Sequence, residues 1–185
     1  MRRLEKFGRH VDFISVRCPA ALVRKADLYE WVKGIFKENS FDEFDKICLE
    51  FPESVLFEDV QATRLAILNM KILKVKTMMS GCGADDCPMA KLLQLPFDYA
   101  VMDTTVSNLI TDRDRGAQVG ALIAFLRTSG ITVIASGIRN DDQIAALSRA
   151  DVMGYIPSVA YQGNIDHGPL RMTVDEALTQ REGDL

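Results

Sequence analysis

The feature that most constrains this chain is an alternation of short β-rich runs with helical stretches, repeated about six times along 185 residues. Residues 12–17 (DFISVR), 46–51 (KICLEF), 73–79, 97–102 (FDYAVM), 131–135 (ITVIA) and 151–156 read as strands. Between them, apolar residues recur at helical spacing. Residues 19–38 carry Leu22, Leu28, Val32, Ile35 and Phe36, and residues 57–70 carry Leu65, Ile67 and Leu68 with Ile72 just beyond. Residues 112–129 carry Val119, Leu122, Ile123, Phe125 and Leu126. Shorter helices are expected at 89–95 and 141–148. Asn39 and Ser40 end the first helix, and Gly130 sits where a glycine follows a helix end. Strand–helix alternation implies parallel strands joined by right-handed crossovers.

Two architectures satisfy that pattern, a doubly wound open sheet and a TIM-like barrel. A dinucleotide fingerprint would favour the first, but GCGADD at 81–86 lacks the third glycine and opens no apolar helix. No phosphate-cradling GxxxxGK[ST] loop is present either. Residues 80–88 (SGCGADDCP) read as a loop, 162–168 as another, and 173–180 as a final helix with Thr173 as its cap.

Composition narrows the function classes. A net charge of −4 and a pI near 5.2 lack the basic excess of a nucleic-acid binder. The one basic cluster, Arg2, Arg3, Lys6 and Arg9, reads as a solvated terminus. No apolar run approaches a membrane span, and charges at Glu5, Lys6 and Arg9 interrupt any signal-peptide core, so a cytoplasmic location is expected. Four cysteines (Cys18, Cys48, Cys82, Cys87) are then expected to be reduced. A thiolate metal site at Cys18, Cys82 and Cys87 is disfavoured by the C-x4-C spacing and by the distance of His10 and His167 in sequence. Asp85 and Asp86 fit a capping region before Pro88 more simply.

Five segments, in order, resemble the EAL family of cyclic di-GMP phosphodiesterases. FISVRCP (13–19) is similar to the family's SVNLSP, and LEFPES (49–54) to LEITES. LLQLPFDYAVMD (92–103) is similar to LRRLPVDVLKID, ITVIASGIRNDDQIAAL (131–147) to LRVVAEGVETEEQLALL, and DVMGY (151–155) to DLVQGY. The resemblance covers about residues 10–160 within a single domain spanning 1–185, with residues 161–185 as a tail and helix. It implies an α/β, TIM-like (β/α) barrel of EAL type. Two family strands, including the one bearing the Glu-Ala-Leu signature, have no counterpart, so about six parallel strands and an incomplete barrel are expected. An incomplete barrel leaves strand edges to be covered, by a second copy or a protein partner.

The family's chemistry is hydrolysis of a phosphodiester by two Mg or Mn ions held on carboxylates at the strand C-termini. The resemblance places the family's site on Arg17, Glu50, Glu53, Ser80, Gly81, Val101, Asp103, Ser136 and Met153. Arg17 stands for the asparagine ligand. Ser80 and Gly81 stand for the paired aspartates. Val101 stands for the lysine, Ser136 for the glutamate of AEG, and Met153 for the final glutamine. Glu50, Glu53 and Asp103 are retained. Loss of one electrostatic stabiliser costs roughly 10²–10³ in rate, and here most of the set is replaced. No catalytic residue and no metal are therefore expected, with Mg or Mn binding lost. Arg17 is expected to pair with Glu50 or Glu53, and it is the candidate for gripping a phosphate. The leading expectation is a non-catalytic regulatory, protein-binding domain in bacterial signalling. A non-hydrolysing cyclic di-GMP receptor ranks second and an active phosphodiesterase third.

Overall fold

The computed structural model describes residues 12–23, 27–84 and 88–159. Six strands succeed one another in chain order across one sheet: β1 (Ile14–Arg17), β2 (Ile47–Pro52), β3 (Lys76–Cys82), β4 (Tyr99–Met102), β5 (Thr132–Ile138) and β6 (Gly154–Pro157). The β1–β2, β2–β3 and β5–β6 pairs are parallel, as the strand–helix alternation demands. Helices α1 (Ala20–Val23) and α2 (Leu28–Glu38) follow β1, and α3 (Glu53–Leu56) and α4 (Val60–Ile72) follow β2. One helix, α5 (Met89–Leu92), follows β3; α6 (Thr104–Asn108) and α7 (Gly116–Thr128) follow β4; α8 (Asp141–Arg149) joins β5 to β6. The chain divides into two compact units, Met1–Ala100 and Val101–Leu185.

In the first unit the core gathers on β2 and β3. Ile47, Cys48 and Leu49 are buried in succession, the mark of a strand covered on both faces. Phe51, Ile67, Met70, Met78 and Met79 are fully buried with them. Asp59 caps α4 by accepting a hydrogen bond from the Ala62 amide at 2.9 Å. At the N-terminal ends of the strands, Phe13 meets Tyr99 with ring centroids 4.9 Å apart, and the Lys76 ammonium lies over the Phe13 ring. Asp98 ties β3 to the start of β4: its carboxylate accepts from Lys71 Nζ, the Thr77 amide and the Thr77 hydroxyl at 2.7, 2.8 and 2.9 Å.

In the second unit Met102, Ile123, Leu126, Ile134, Ala135 and Leu147 are among the fully buried residues. Gly130 follows α7 with φ +80°, the left-handed turn that its position predicts. Asn140 caps α8 through the Gln143 amide at 2.9 Å.

Several sequence expectations shift. The helix predicted over 19–38 is two helices, α1 and α2. The segment predicted as a loop from residue 80 begins inside β3, which runs to Cys82 because Ser80 still pairs with Pro52. Strand β5 passes through Gly137 to Ile138 rather than stopping at Ala135, since Ile138 pairs with Pro157. The α3 and α6 turns are additional; each starts directly at a strand end, too short to show a helical stripe. The expectations for His10, Asp85, Asp86, Cys87, His167 and the helix at 173–180 fall outside the described residues.

Candidate functional site

Most of the positions implied by the resemblance fall in or just beyond the C-terminal halves of strands, Met153 alone preceding its strand, β6, and each unit carries its own group. In the first unit, parallel register sets Arg17, the last residue of β1, beside Glu50 of β2. The Arg17 guanidinium lies 3.7 Å from Glu50 Oε1. The Arg17 side chain is 79% exposed and that of Glu50 16%, so the half-buried carboxylate has its counter-charge at the solvent boundary. The ladder continues one residue past β1, with the Cys18 amide donating to the Glu50 carbonyl at 2.7 Å.

Glu53 opens α3 and is buried. Its carboxylate accepts from the Gly83 amide at 3.3 Å and so ties the start of α3 to the turn after β3. Ser80 donates to the Phe51 carbonyl at 3.5 Å. Neither Ser80 nor its neighbour Gly81 supplies a carboxylate. Cys18, Cys48 and Cys82 are buried thiols. Burial pushes the Cys18 thiol up to about 11, so it stays protonated and a poor metal ligand or nucleophile near neutrality.

In the second unit, Val101 is buried in β4. Asp103 follows β4 and caps α6: Oδ1 accepts from the Thr105 amide at 2.7 Å and from the Thr105 hydroxyl at 2.5 Å. Ser136 lies in β5 at the centre of a small polar net. Its hydroxyl donates to the Met102 carbonyl at 2.7 Å and lies 3.1 Å from the Thr104 hydroxyl, and its amide donates to Ser107 Oγ at 3.2 Å. Gly137 follows with φ +70°. A Cβ there would lie 2.2 Å from Thr104 Cγ2, so only glycine admits this approach of α6 to β5. Met153 lies before β6 and is 41% exposed; its amide donates to the Val133 carbonyl.

Sequence reasoning missed the polar residues that support this second group. Asn108 donates to the Thr104 carbonyl at 2.6 Å and accepts from Gln143 Nε2 at 2.7 Å. Buried Gln143 also accepts from the Arg139 amide. The Asn140-x-x-Gln143 spacing at a helix start was the available signal; nothing local marked Thr104, Ser107 or Asn108.

The donor set can therefore be stated side chain by side chain. Three carboxylates occur at these positions, and each has a partner: Arg17 for Glu50, Gly83 for Glu53, Thr105 for Asp103. The other positions offer a guanidinium, two aliphatic or thioether groups, a glycine and two bonded hydroxyls. Among the described residues, no group of three or more His, Cys, Asp or Glu side chains is placed to hold a metal ion. No helix among them is long and apolar enough to cross a membrane.

A parallel α/β chain with its polar positions gathered at strand C-terminal ends defines the TIM-like barrel class. The chain belongs to the EAL domain family, whose family model matches residues 1–155. It is 32% identical over 111 residues to an uncharacterized signaling protein of Caulobacter vibrioides, covering 58% of this chain and 14% of that protein. It is 26% identical over 149 residues to the bifunctional diguanylate cyclase/cyclic di-GMP phosphodiesterase MucR of Pseudomonas aeruginosa, covering 80% of this chain and 22% of MucR. The solved PaMucR phosphodiesterase, in complex with c-di-GMP, superposes with a TM-score of 0.71 at 25% identity, over 82% of this chain and 62% of that one. The chain thus spans under a quarter of the length of these two curated relatives.

Proposed function

We propose that this chain is an EAL domain that does not hydrolyse cyclic di-GMP and acts in signalling as a regulatory module that contacts another protein chain. The observation that carries this reading is the Arg17–Glu50 pair. Where the resemblance calls for a neutral oxygen ligand, a fixed cation faces the first carboxylate and supplies the positive charge a metal would supply. Mg and Mn require clustered oxygen donors, and Ser80, Gly81, Ser136 and Met153 replace donors with groups that are neutral and, for the serines, already bonded. These residues do not fit a two-metal centre, so no hydrolytic step is assigned. A cytoplasmic site of action belongs to the same reading.

One observation favours a second reading, a cyclic di-GMP receptor. The Arg17 side chain is 79% exposed, leaving guanidinium donors for a phosphate. Calorimetric titration with cyclic di-GMP separates the two. The regulatory reading expects no heat into the high micromolar range. A dissociation constant tighter than about 10 µM, near −7 kcal/mol, would replace it with the receptor. Linear dinucleotide formed with Mg or Mn and abolished by chelator would refute the loss of hydrolysis.

A further inference from the structure

The two strands that end the sheet order differ in how they meet further pairing. Strand β6 closes on Pro157, and the β5–β6 register shifts between Ser136 and Ile138. A proline and an irregular register both discourage the addition of another strand. Strand β1 has neither. Its register with β2 is unbroken from Ile14 to Arg17, and its sequence, ISVR, holds no proline. The ladder fixes which of its groups are left over. The Cys18 amide donates to the Glu50 carbonyl. Alternate residues of a parallel strand turn their backbone groups to the same neighbour, so Val16 shares the β2 side with Cys18. Ser15 and Arg17 turn their amides and carbonyls to the other side. Among the described residues β2 is the one strand paired with β1, so that other side is open. The side chains along it are exposed as well, Val16 at 47% and that of Arg17 at 79%. Strands of a parallel sheet are ordinarily covered, and a row of unpaired backbone groups is a template for a further strand.

Charge identifies the occupant. Arg17 has Glu50 on its β2 side at 3.7 Å, and its guanidinium otherwise stands in solvent. A residue abreast of Arg17 on an added strand would lie on the same face of the sheet, about 5 Å away. A carboxylate is the complement there, since a planar guanidinium serves two acids at once. One residue back and on the opposite face, exposed Val16 favours a β-branched or aromatic neighbour. We infer that the free edge of β1 captures an extended segment of another protein and takes it into the sheet as a further strand. Ser15 and Arg17 supply the main-chain hydrogen bonds, as in other cases of strand addition. An Asp or Glu of the segment lies beside Arg17, and an apolar residue lies beside Val16. The inference rests on the regulatory reading and names the surface through which that module holds its partner.

The test combines amide hydrogen exchange of the full chain with a display library of random short peptides as the probe. In the chain alone, the Ser15 and Arg17 amides are expected to exchange freely while those of Val16 and Cys18 are protected. Protection of Ser15 and Arg17 without peptide would assign the edge to the chain's own residues and overturn the inference. Selected peptides are expected to alternate apolar residues with an acid and to protect both amides on binding. Ser15→Pro removes an outward amide and spares the β1–β2 ladder. It is expected to weaken binding about ten-fold or more with far-UV circular dichroism unchanged. Arg17→Glu is expected to weaken binding several-fold and to prefer the same peptide with lysine in place of its acid. That charge exchange carries the test if Ser15→Pro disturbs the fold. An empty selection, or binding indifferent to both substitutions, overturns the inference. Calorimetry with cyclic di-GMP is a separate measurement. Tight nucleotide binding would replace the regulatory reading itself, whereas a closed β1 edge removes only this surface from it.

Discussion

Gly137→Ala is the substitution for which the structure gives the most specific expectation. The residue has φ +70°, and placing an L-residue in the left-handed region costs about 1–2 kcal/mol. The added Cβ would also stand 2.2, 2.6 and 2.8 Å from Thr104 Cγ2, Oγ1 and Cβ. These atoms belong to the first turn of α6, and Thr104 lies in contact with the Ser136 hydroxyl, so relief requires that turn to move. Overpacking of this kind costs about 1–3 kcal/mol. The sum, about 3 kcal/mol, is a large share of a stability of about 5–15 kcal/mol. In a chain of this size it lowers the thermal midpoint by about 10 °C. Circular dichroism melts of wild type, Gly137→Ala, Thr104→Ala and the double variant form a cycle. The double variant is expected to recover part of the loss, because removing Oγ1 and Cγ2 relieves two of the three contacts but leaves φ unchanged. A drop under about 2 °C for Gly137→Ala, below the strain of φ alone, would refute the reasoning. Full recovery would show that φ contributes nothing.

Three further outcomes are expected. Arg17→Ala should change unfolding free energy in urea by less than about 1 kcal/mol, because the exposed guanidinium sits in high dielectric; a larger loss would mean that Glu50 depends on it as a buried ion does. Asp98→Ala should cost about 2–4 kcal/mol in the same assay, since it strands the amide and hydroxyl of fully buried Thr77. Cys18 should resist iodoacetamide at pH 8 in the folded chain, as followed by mass spectrometry. Its thiol holds its proton more tightly folded than unfolded, so this contribution to stability is complete below about pH 9 and is lost as the pH climbs toward about 11. Rapid native alkylation at pH 8 would contradict the burial.

The strands were legible because β-branched and apolar runs such as ITVIA must be buried wherever they fold, and all six lie where those runs predict. Their ends were not. Ser80, Gly81 and Gly137 read as loop by composition, but pairing of Ser80 with Pro52 and of Ile138 with Pro157 carries β3 and β5 further. Helix α6 escaped because TTVSN has weak intrinsic helix propensity and forms on the cap supplied by Asp103. The Arg17–Glu50 pairing was legible once the two strands were placed in order, since parallel register brings them side by side. The net around Ser136 was not, because it joins residues about 30 positions apart through hydroxyls that carry no pattern.

Asp103 shows how a metal ion at this strand end would be coupled to helix formation. Its carboxylate is already the ligand of an amide and a hydroxyl, and α6 begins on that attachment. A cation drawn to the same oxygen, Oδ1, would compete with the start of a five-residue helix whose other end is tied through Asn108 to Gln143. An engineer placing acids at positions 80, 81 and 136 to hold metal would also have to install a replacement cap for α6, or accept that metal loading and helix initiation draw on one carboxylate.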